Sequence, residues 1–370
     1  MGLTHPVRIG VVGLGVISRQ YLDTLAQAPL VRFAAVADLD MARARAVANT
    51  IPGCRALTTA ELVADPEVDV VLNLTIPAAH AEVALAAIAH GKAVYNEKPL
   101  AATLADARTV MDAAAAAGVA VGGAPDTVLG TGVQTARAAV DGGRIGAPVS
   151  ASATWVSAGH ESWHPHPDFY YRAGGGPLLD MGPYYVTSLV QLLGPVEAVS
   201  GAASRSRAER VIATGPRAGE RIGVEVDTHL TGILHHGSGA LSTVTMSFDA
   251  MASTAAPIEV HGVEGSLRVP DPNHFGGPSA SDSGVRLHVR GGAWDSLPPS
   301  AGYVDAGRGV GLVDLVTGAG RASGAMALHV LEIMTMLQVS ADTGVRERLT
   351  TTVERPAPVP LTPAAVWQGR

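Results

Sequence analysis

Apolar positions in the first third of the chain come in short unbroken runs, not in alternation. Residues 7–12, 31–37, 68–74, 92–95 and 119–122 are such runs, rich in Val, Ile, Leu and Ala. An unbroken apolar run suits a strand buried on both faces of a parallel sheet. Between them, residues 17–28, 41–49, 79–90 and 104–117 carry mixed patterns that read as helices. The strand–helix alternation predicts an α/β fold with a doubly wound parallel sheet.

The pattern changes after Asp126. A helix is expected over 132–141, stopped by Gly142-Gly143. Beyond it, residues 149–156, 196–200, 224–234, 240–248, 258–263 and 266–269 alternate better and are joined by short Gly-containing turns. That suits an open, mostly antiparallel sheet with one covered face. Helices are expected at 184–193 and 324–340, long loops over 270–310, and a proline-rich surface tail over 355–370. The expected domains are 1–126 and 127–370.

Composition narrows the class. Hydrophobic residues make up 47% of the 370, enough for a packed core and too many for a disordered chain. The net charge of −7 argues against a nucleic-acid partner, which needs a basic surplus. Cys54 is the single cysteine, so no internal disulfide forms. With no basic leader and no uninterrupted apolar stretch of about 18 residues, the expectation is a cytoplasmic protein without a membrane partner.

The first chemical signal is Gly13-Leu-Gly15-Val16-Ile17-Ser18, between a predicted strand and a predicted helix. Gly13 permits a tight turn. Gly15 lets a pyrophosphate approach the backbone, and the helix start supplies N–H groups and a positive dipole end. Ser18 stands where the third Gly or Ala is usual. Asp38 ends the second strand, where a carboxylate accepts from ribose hydroxyls and repels a 2′-phosphate. NAD is therefore expected over NADP, against the plainer reading of Asp38 as a strand-end cap.

Further along stand Thr75-Ile-Pro77-Ala-Ala-His80, Glu97-Lys98-Pro99 and Gly174-Gly-Gly-Pro-Leu-Leu-Asp180-Met-Gly-Pro-Tyr184. In this order, with the glycine motif, the chain resembles the Gfo/Idh/MocA oxidoreductase family. The resemblance implies an N-terminal Rossmann domain and a C-terminal α+β domain. It also implies hydride transfer between nicotinamide and a sugar, cyclitol or glycoside hydroxyl. By the same resemblance, Lys98 contacts substrate and cofactor, Glu97, Thr75, Pro77 and His80 lie on the cofactor side, and Asp180 positions substrate. Most members carry His where this chain has Tyr184; the branch with glucose–fructose oxidoreductase and dihydrodiol or xylose dehydrogenases is similar in having Tyr. A phenol and an ammonium both titrate near ~10, too high for a base at neutrality unless each adjusts the other. Tyr184 and Lys98 are thus expected to act as one coupled pair. Asp180 and Tyr184 share a face at i, i+4 if both are helical, whereas Pro183 suits a helix beginning near Gly182. A redox-neutral glycosidase or sugar oxidoreductase with retained NAD, and a non-catalytic nucleotide sensor, are the rival readings.

Other candidates are less specific. Trp163, His164, His166 and Tyr170 crowd one segment before the triple glycine and read as a substrate-pocket wall. Plain loop packing and a metal site are the alternatives, and no metal is expected because hydride transfer needs none. Asp126 reads equally as a substrate ligand or a helix cap. His229, His235, His236 and His329 read as sheet-face or core histidines. A one-sided sheet leaves an apolar face, so a homodimer or homotetramer is expected.

Overall fold

The computed structural model describes residues 6–277, 279 and 281–369. Its chain divides into two compact units, Met1–Gly130 with Ala301–Leu328 and Val359–Arg370, and Thr131–Ser300 with His329–Pro358.

The first unit holds a six-stranded sheet in the order β3-β2-β1-β4-β5-β6. These strands are β1 (Val7–Val12), β2 (Val31–Ala37), β3 (Arg55–Leu57), β4 (Val70–Asn73), β5 (Ala93–Asn96) and β6 (Val121–Gly123). Every pairing among them is parallel. The connecting helices are α1 (Ser18–Leu25), α2 (Met41–Ala48), α3 (Thr59–Ala64), α4 (Pro77–Ala89) and α5 (Leu104–Ala117). Ile9, Val11, Val36, Val71, Leu72 and Val94 are buried between the helical layers, which explains why these strands read as unbroken apolar runs. Strand order reverses between β1 and β4. The crevice beyond the carboxyl ends at such a reversal is where open α/β sheets bind ligands.

In the second unit, α6 (Thr131–Asp141) leads to β7 (Pro148–Val156), α7 (Pro177–Leu193), β8 (Val196–Ser204) and the small hairpin β9 (Glu209–Val211) and β10 (Arg221–Gly223). Then follow β11 (His229–His236), β12 (Leu241–Ser247), β13 (Ile258–Gly262), β14 (Gly265–Val269), β15 (Arg286–Val289) and β16 (Trp294–Ser296). The chain continues through α8 (Val310–Val316), α9 (Gly324–Thr343), β17 (Glu347–Arg348) and α10 (Ala364–Trp367). Nine strands form one sheet in the order β16-β15-β14-β13-β7-β12-β11-β8-β17. Only β7–β12 is parallel among its pairings. The helix α7 packs on β7, β11 and β12 and covers one face of the sheet. Facing glycines Gly201 and Gly232 let α9 approach: a Cβ on Gly232 would meet Ser200 O at 2.8 Å and the Leu337 side chain.

Three expectations change. The helix over 184–193 begins earlier, at Pro177, with Pro183 inside it. Proline is well placed in a first turn, and the bond lost at Pro183 is outweighed by burial along nearly the whole helix. The 270–310 stretch contains β15 and β16, hidden because short, half-exposed strands carry little periodicity. The 355–370 stretch is no loose tail. Ala301 bridges Pro360, Tyr303 bridges Thr362, and buried Trp367 donates to Val304 O at 3.0 Å. The helix α9 is long and apolar enough to cross a membrane by composition. Its apolar face instead lies in the core, with Val330, Ile333, Met334 and Leu337 buried.

Candidate active site

In the first unit the candidate groups sit on loops after the strands. Gly13 has φ +91°, and a Cβ there would lie 2.8 Å from the Leu74–Thr75 backbone, so only glycine closes this turn. Gly15 faces open space within 4 Å, and Val16 beside it is 96% exposed. No side chain caps α1 at Ile17; Ser18 N and Gln20 N bond back to Gly15 O and Ile17 O at 3.1 Å, so what this end offers an anion is the positive end of the helix dipole beside the open Gly15. Ser18 Oγ donates to Gly15 O at 2.7 Å, which is how the hydroxymethyl group fits where a third glycine is usual. These features fit a dinucleotide pyrophosphate.

Asp38 directly follows β2 and tethers this loop. It accepts from Leu14 N and Asp40 N, both at 2.8 Å, and pairs with Arg43 at 3.3 Å. Partial burial pushes its carboxyl up, but the two N–H groups and the guanidinium outweigh that and hold it below the ordinary carboxylate value.

The loops after β4 and β5 are braced by residues the sequence reading did not single out. Asn73 and Asn96 are register partners at the strand ends. Asn73 accepts from Thr75 Oγ1 at 2.7 Å and donates to His80 O at 3.1 Å, while Asn96 donates to Leu100 O at 3.1 Å. Buried asparagines at strand ends were the available signal. Pro77 starts α4 and is exposed. His80 is fully buried, with Nδ1 2.7 Å from Pro99 O and Nε2 2.9 Å from Thr75 O. Its two ring nitrogens thus join the loops after β4 and β5. Glu97 likewise turns inward: it accepts from Tyr21 Oη at 2.7 Å and from Lys98 N at 2.8 Å. Burial, with Glu97 and Asp126 nearby, keeps the Tyr21 phenol well above its ordinary value and so a donor. Lys98 is half-buried on this braced loop.

Asp126 is fully buried and is not the expected helix cap. Its side chain makes no cap bond to the short helical turn after it. Oδ2 accepts from Gly309 N at 2.7 Å and Gly311 N at 3.0 Å, anchoring a distant segment of the same unit. Oδ1 lacks a hydrogen-bond partner. Burial outweighs the Gly311 and Gly309 N–H groups and pushes the carboxyl up to about 6.

In the second unit, Asp180 and Tyr184 lie one turn apart on α7, so their side chains rise from the same helix face. Asp180 Oδ2 is 2.8 Å from His160 Nε2. His160, absent from the expected site, is buried, and its Nδ1 accepts from Trp163 Nε1 at 3.1 Å. Around it stand Tyr170, Phe248 and Trp155, with ring centroids 4.3, 4.6 and 5.8 Å away. Only 4% of the chain is aromatic, so this concentration marks the segment; the missing signal was which of its three histidines turned inward. Trp163, His164 and Tyr170 join the cluster, with His164 5.3 Å from Trp163 and 5.7 Å from Tyr170. Burial and the neighbouring His160 and His166 hold His164 below its ordinary value. His166 is exposed and gives only its backbone N–H to His164 Nδ1, at 3.0 Å. Among the described residues, no three metal-ligating side chains converge. His236 and His329 are buried and hydrogen-bonded: His236 to Gly194 O and Ser242, His329 to Val196 N and Thr351.

Known proteins match both units. Residues 7–123 match the family model described as the oxidoreductase family with an NAD-binding Rossmann fold, and residues 133–268 match the Gfo/Idh/MocA C-terminal domain. A 1,5-anhydro-D-fructose reductase of Ensifer adhaerens is 32% identical over 267 residues, 70% of this chain and 74% of the relative. Inositol 2-dehydrogenase 3 of Saccharopolyspora erythraea is 31% identical over 279 residues, 74% of this chain and 76% of the relative. Among solved structures, an NAD binding oxidoreductase from Klebsiella pneumoniae aligns at TM-score 0.80 and 23% identity, covering 94% of this chain and 100% of its own. Levoglucosan dehydrogenase in complex with NADH aligns at TM-score 0.78 and 20% identity, with the same coverage of each chain. These two likenesses speak to the fold.

Proposed function

The chain belongs to the Gfo/Idh/MocA oxidoreductase family, and from that premise we propose that it is an NAD-dependent dehydrogenase of a sugar, cyclitol or glycoside, with Lys98 and Tyr184 as its acid–base pair. The observation that carries this reading is Asp180 and Tyr184 on one face of α7 beside an aromatic cluster. A carboxylate there holds a substrate hydroxyl, and an aromatic wall suits the C–H faces of a sugar ring. The names of the two relatives, a sugar reductase and an inositol dehydrogenase, support the substrate class.

Bound NAD supplies the hydride acceptor at its nicotinamide ring. The chain's own residues do the rest. Gly13, Gly15, Val16 and Ile17 cradle the pyrophosphate at the start of α1, with Thr75 and Pro77 on the neighbouring loop. Asp38 meets the ribose hydroxyls and repels a 2′-phosphate. During oxidation the substrate carbon loses hydride while its hydroxyl proton passes to Tyr184, whose phenolate form the Lys98 ammonium stabilises. Asp180 holds the hydroxyl in line, and reduction reverses each transfer. The exposed Ile233 of β11 and Leu241 of β12, on the same sheet face, support association with a second copy of the chain.

Tyr184→Phe tests the assignment by removing one oxygen. Turnover is expected to fall by ~100-fold or more, with NAD affinity unchanged by fluorescence titration. Turnover within about twofold of the parent contradicts it.

A further inference from the structure

The hydrogen bond from His160 to Asp180 has a second half. An indole N–H donates and has no lone pair to accept with. Trp163 Nε1 lies 3.1 Å from His160 Nδ1, so Nδ1 carries the lone pair and the ring proton sits on Nε2. That proton faces Asp180 Oδ2 at 2.8 Å. Donation therefore runs one way, from Trp163 to His160 to Asp180. The ring is held from other sides too: Tyr170 and Phe248 pack on it, and Tyr171 Oη accepts from the His160 backbone N–H at 3.1 Å. A ring flip would put carbon atoms where both nitrogens stand. Yet Trp163 itself is 57% exposed. A large indole is kept at the surface with its one polar atom turned inward.

We propose that Trp163 and His160 are positioning residues for Asp180. Trp163 selects the Nε2–H tautomer of His160, and that donor fixes the Asp180 carboxylate to receive a substrate hydroxyl. The exposed indole is the rest for the C–H face of a sugar or cyclitol ring, so ring docking and carboxylate orientation share one rigid link. This rests on the reading of Asp180 as a substrate-holding residue.

Trp163→Phe separates the two halves, because it keeps an aromatic face and loses the N–H. The expected result is a fall in kcat of ~10-fold or more, as for a slightly misplaced group, with KM nearly unchanged. Trp163→Ala raises KM as well. His160→Ala lowers kcat by ~10- to 100-fold, and His160→Gln, whose amide can donate to Asp180, recovers most of that loss. In ¹⁵N-resolved NMR the parent shows the Nε2–H tautomer at His160, and Trp163→Phe shows a mixture. An unchanged kcat and tautomer in Trp163→Phe overturns the proposal, as does a His160→Gln variant no better than His160→Ala. If His160→Ala does not fold, Trp163→Phe and the NMR signature decide alone. Asp180→Asn keeps the two readings apart. Lost turnover there, with Trp163→Phe and His160→Ala fully active, removes the relay only; full turnover in Asp180→Asn removes the substrate-holding reading itself.

Discussion

Asp126 follows a parallel strand at its carboxyl end, the usual address of a ligand-binding group, yet its side chain faces inward to Gly309 and Gly311. The chemistry of a residue type is legible in sequence; the direction of one side chain after a strand is not, because it depends on a segment nearly 200 positions away. The tight turn at Gly13 and the strand-end position of Asp38 are legible because both are constrained locally, whereas the inward hydrogen bonds of His80 and Glu97 depend on partners from other loops and on Tyr21. The Asp126 carboxyl, pushed up to about 6 by burial, has a thermodynamic consequence. An unfolded Asp titrates near ~3.9. Between about pH 4 and 6 the native state therefore keeps a proton that the unfolded state has released, and the contribution of this group to stability falls as pH rises through that window. The difference is on the order of 3 kcal/mol. Asp126→Asn keeps an acceptor oxygen for Gly309 and Gly311 but does not titrate. Measured by urea unfolding, it should gain stability relative to the parent between pH ~4 and ~7; an offset constant with pH contradicts this.

Elements with a long, consistent pattern read well. The strand β2 (Val31–Ala37) and the helix α5 (Leu104–Ala117) match the expected bounds. The α5 ends carry their own signals, a Thr103 side chain accepting from Asp106 N and Gly118 in the left-handed region. The strand β3 and the helix α3 escaped because three and six residues are too short for periodicity. The start of α7 escaped because an internal proline outweighs, in a local reading, the burial that tertiary packing supplies. Packing of α9 on the second sheet has no local signal either: Gly201 and Gly232 show in sequence only as residues without side chains, whereas in the fold they are the seat for Leu337. Gly232→Ala should cost ~1–3 kcal/mol through overpacking, seen as a lower urea midpoint with unchanged slope. An unchanged midpoint would mean that α9 does not rest there.

At the scale of the whole molecule, the single boundary expected at 126/127 misses that the chain returns. Residues 301–328 and 359–370 rejoin the first unit after the second has been built. Such returns carry no local pattern, since their anchors are single contacts: Trp367 to Val304 O, Ala301 to Pro360, and Asp314 to Tyr303 and Arg321. Trp367→Ala removes a buried indole and should lower stability by roughly 3–5 kcal/mol. A variant with the parental melting temperature would show that the C-terminal segment is dispensable to the first unit.

The central claim is NAD-dependent oxidation of a ring hydroxyl. Its most direct test is NADH absorbance during incubation of the intact protein with sugars, inositols and glycosides, run with NAD and NADP in parallel. The expected result is NADH growth with one stereochemical group of substrates and a marked preference for NAD. Asp38→Ser should narrow that preference by ~10-fold or more, since it removes a charge repulsion worth ~1–4 kcal/mol. Demonstrable NAD binding without NADH growth on any of these substrates would contradict the claim.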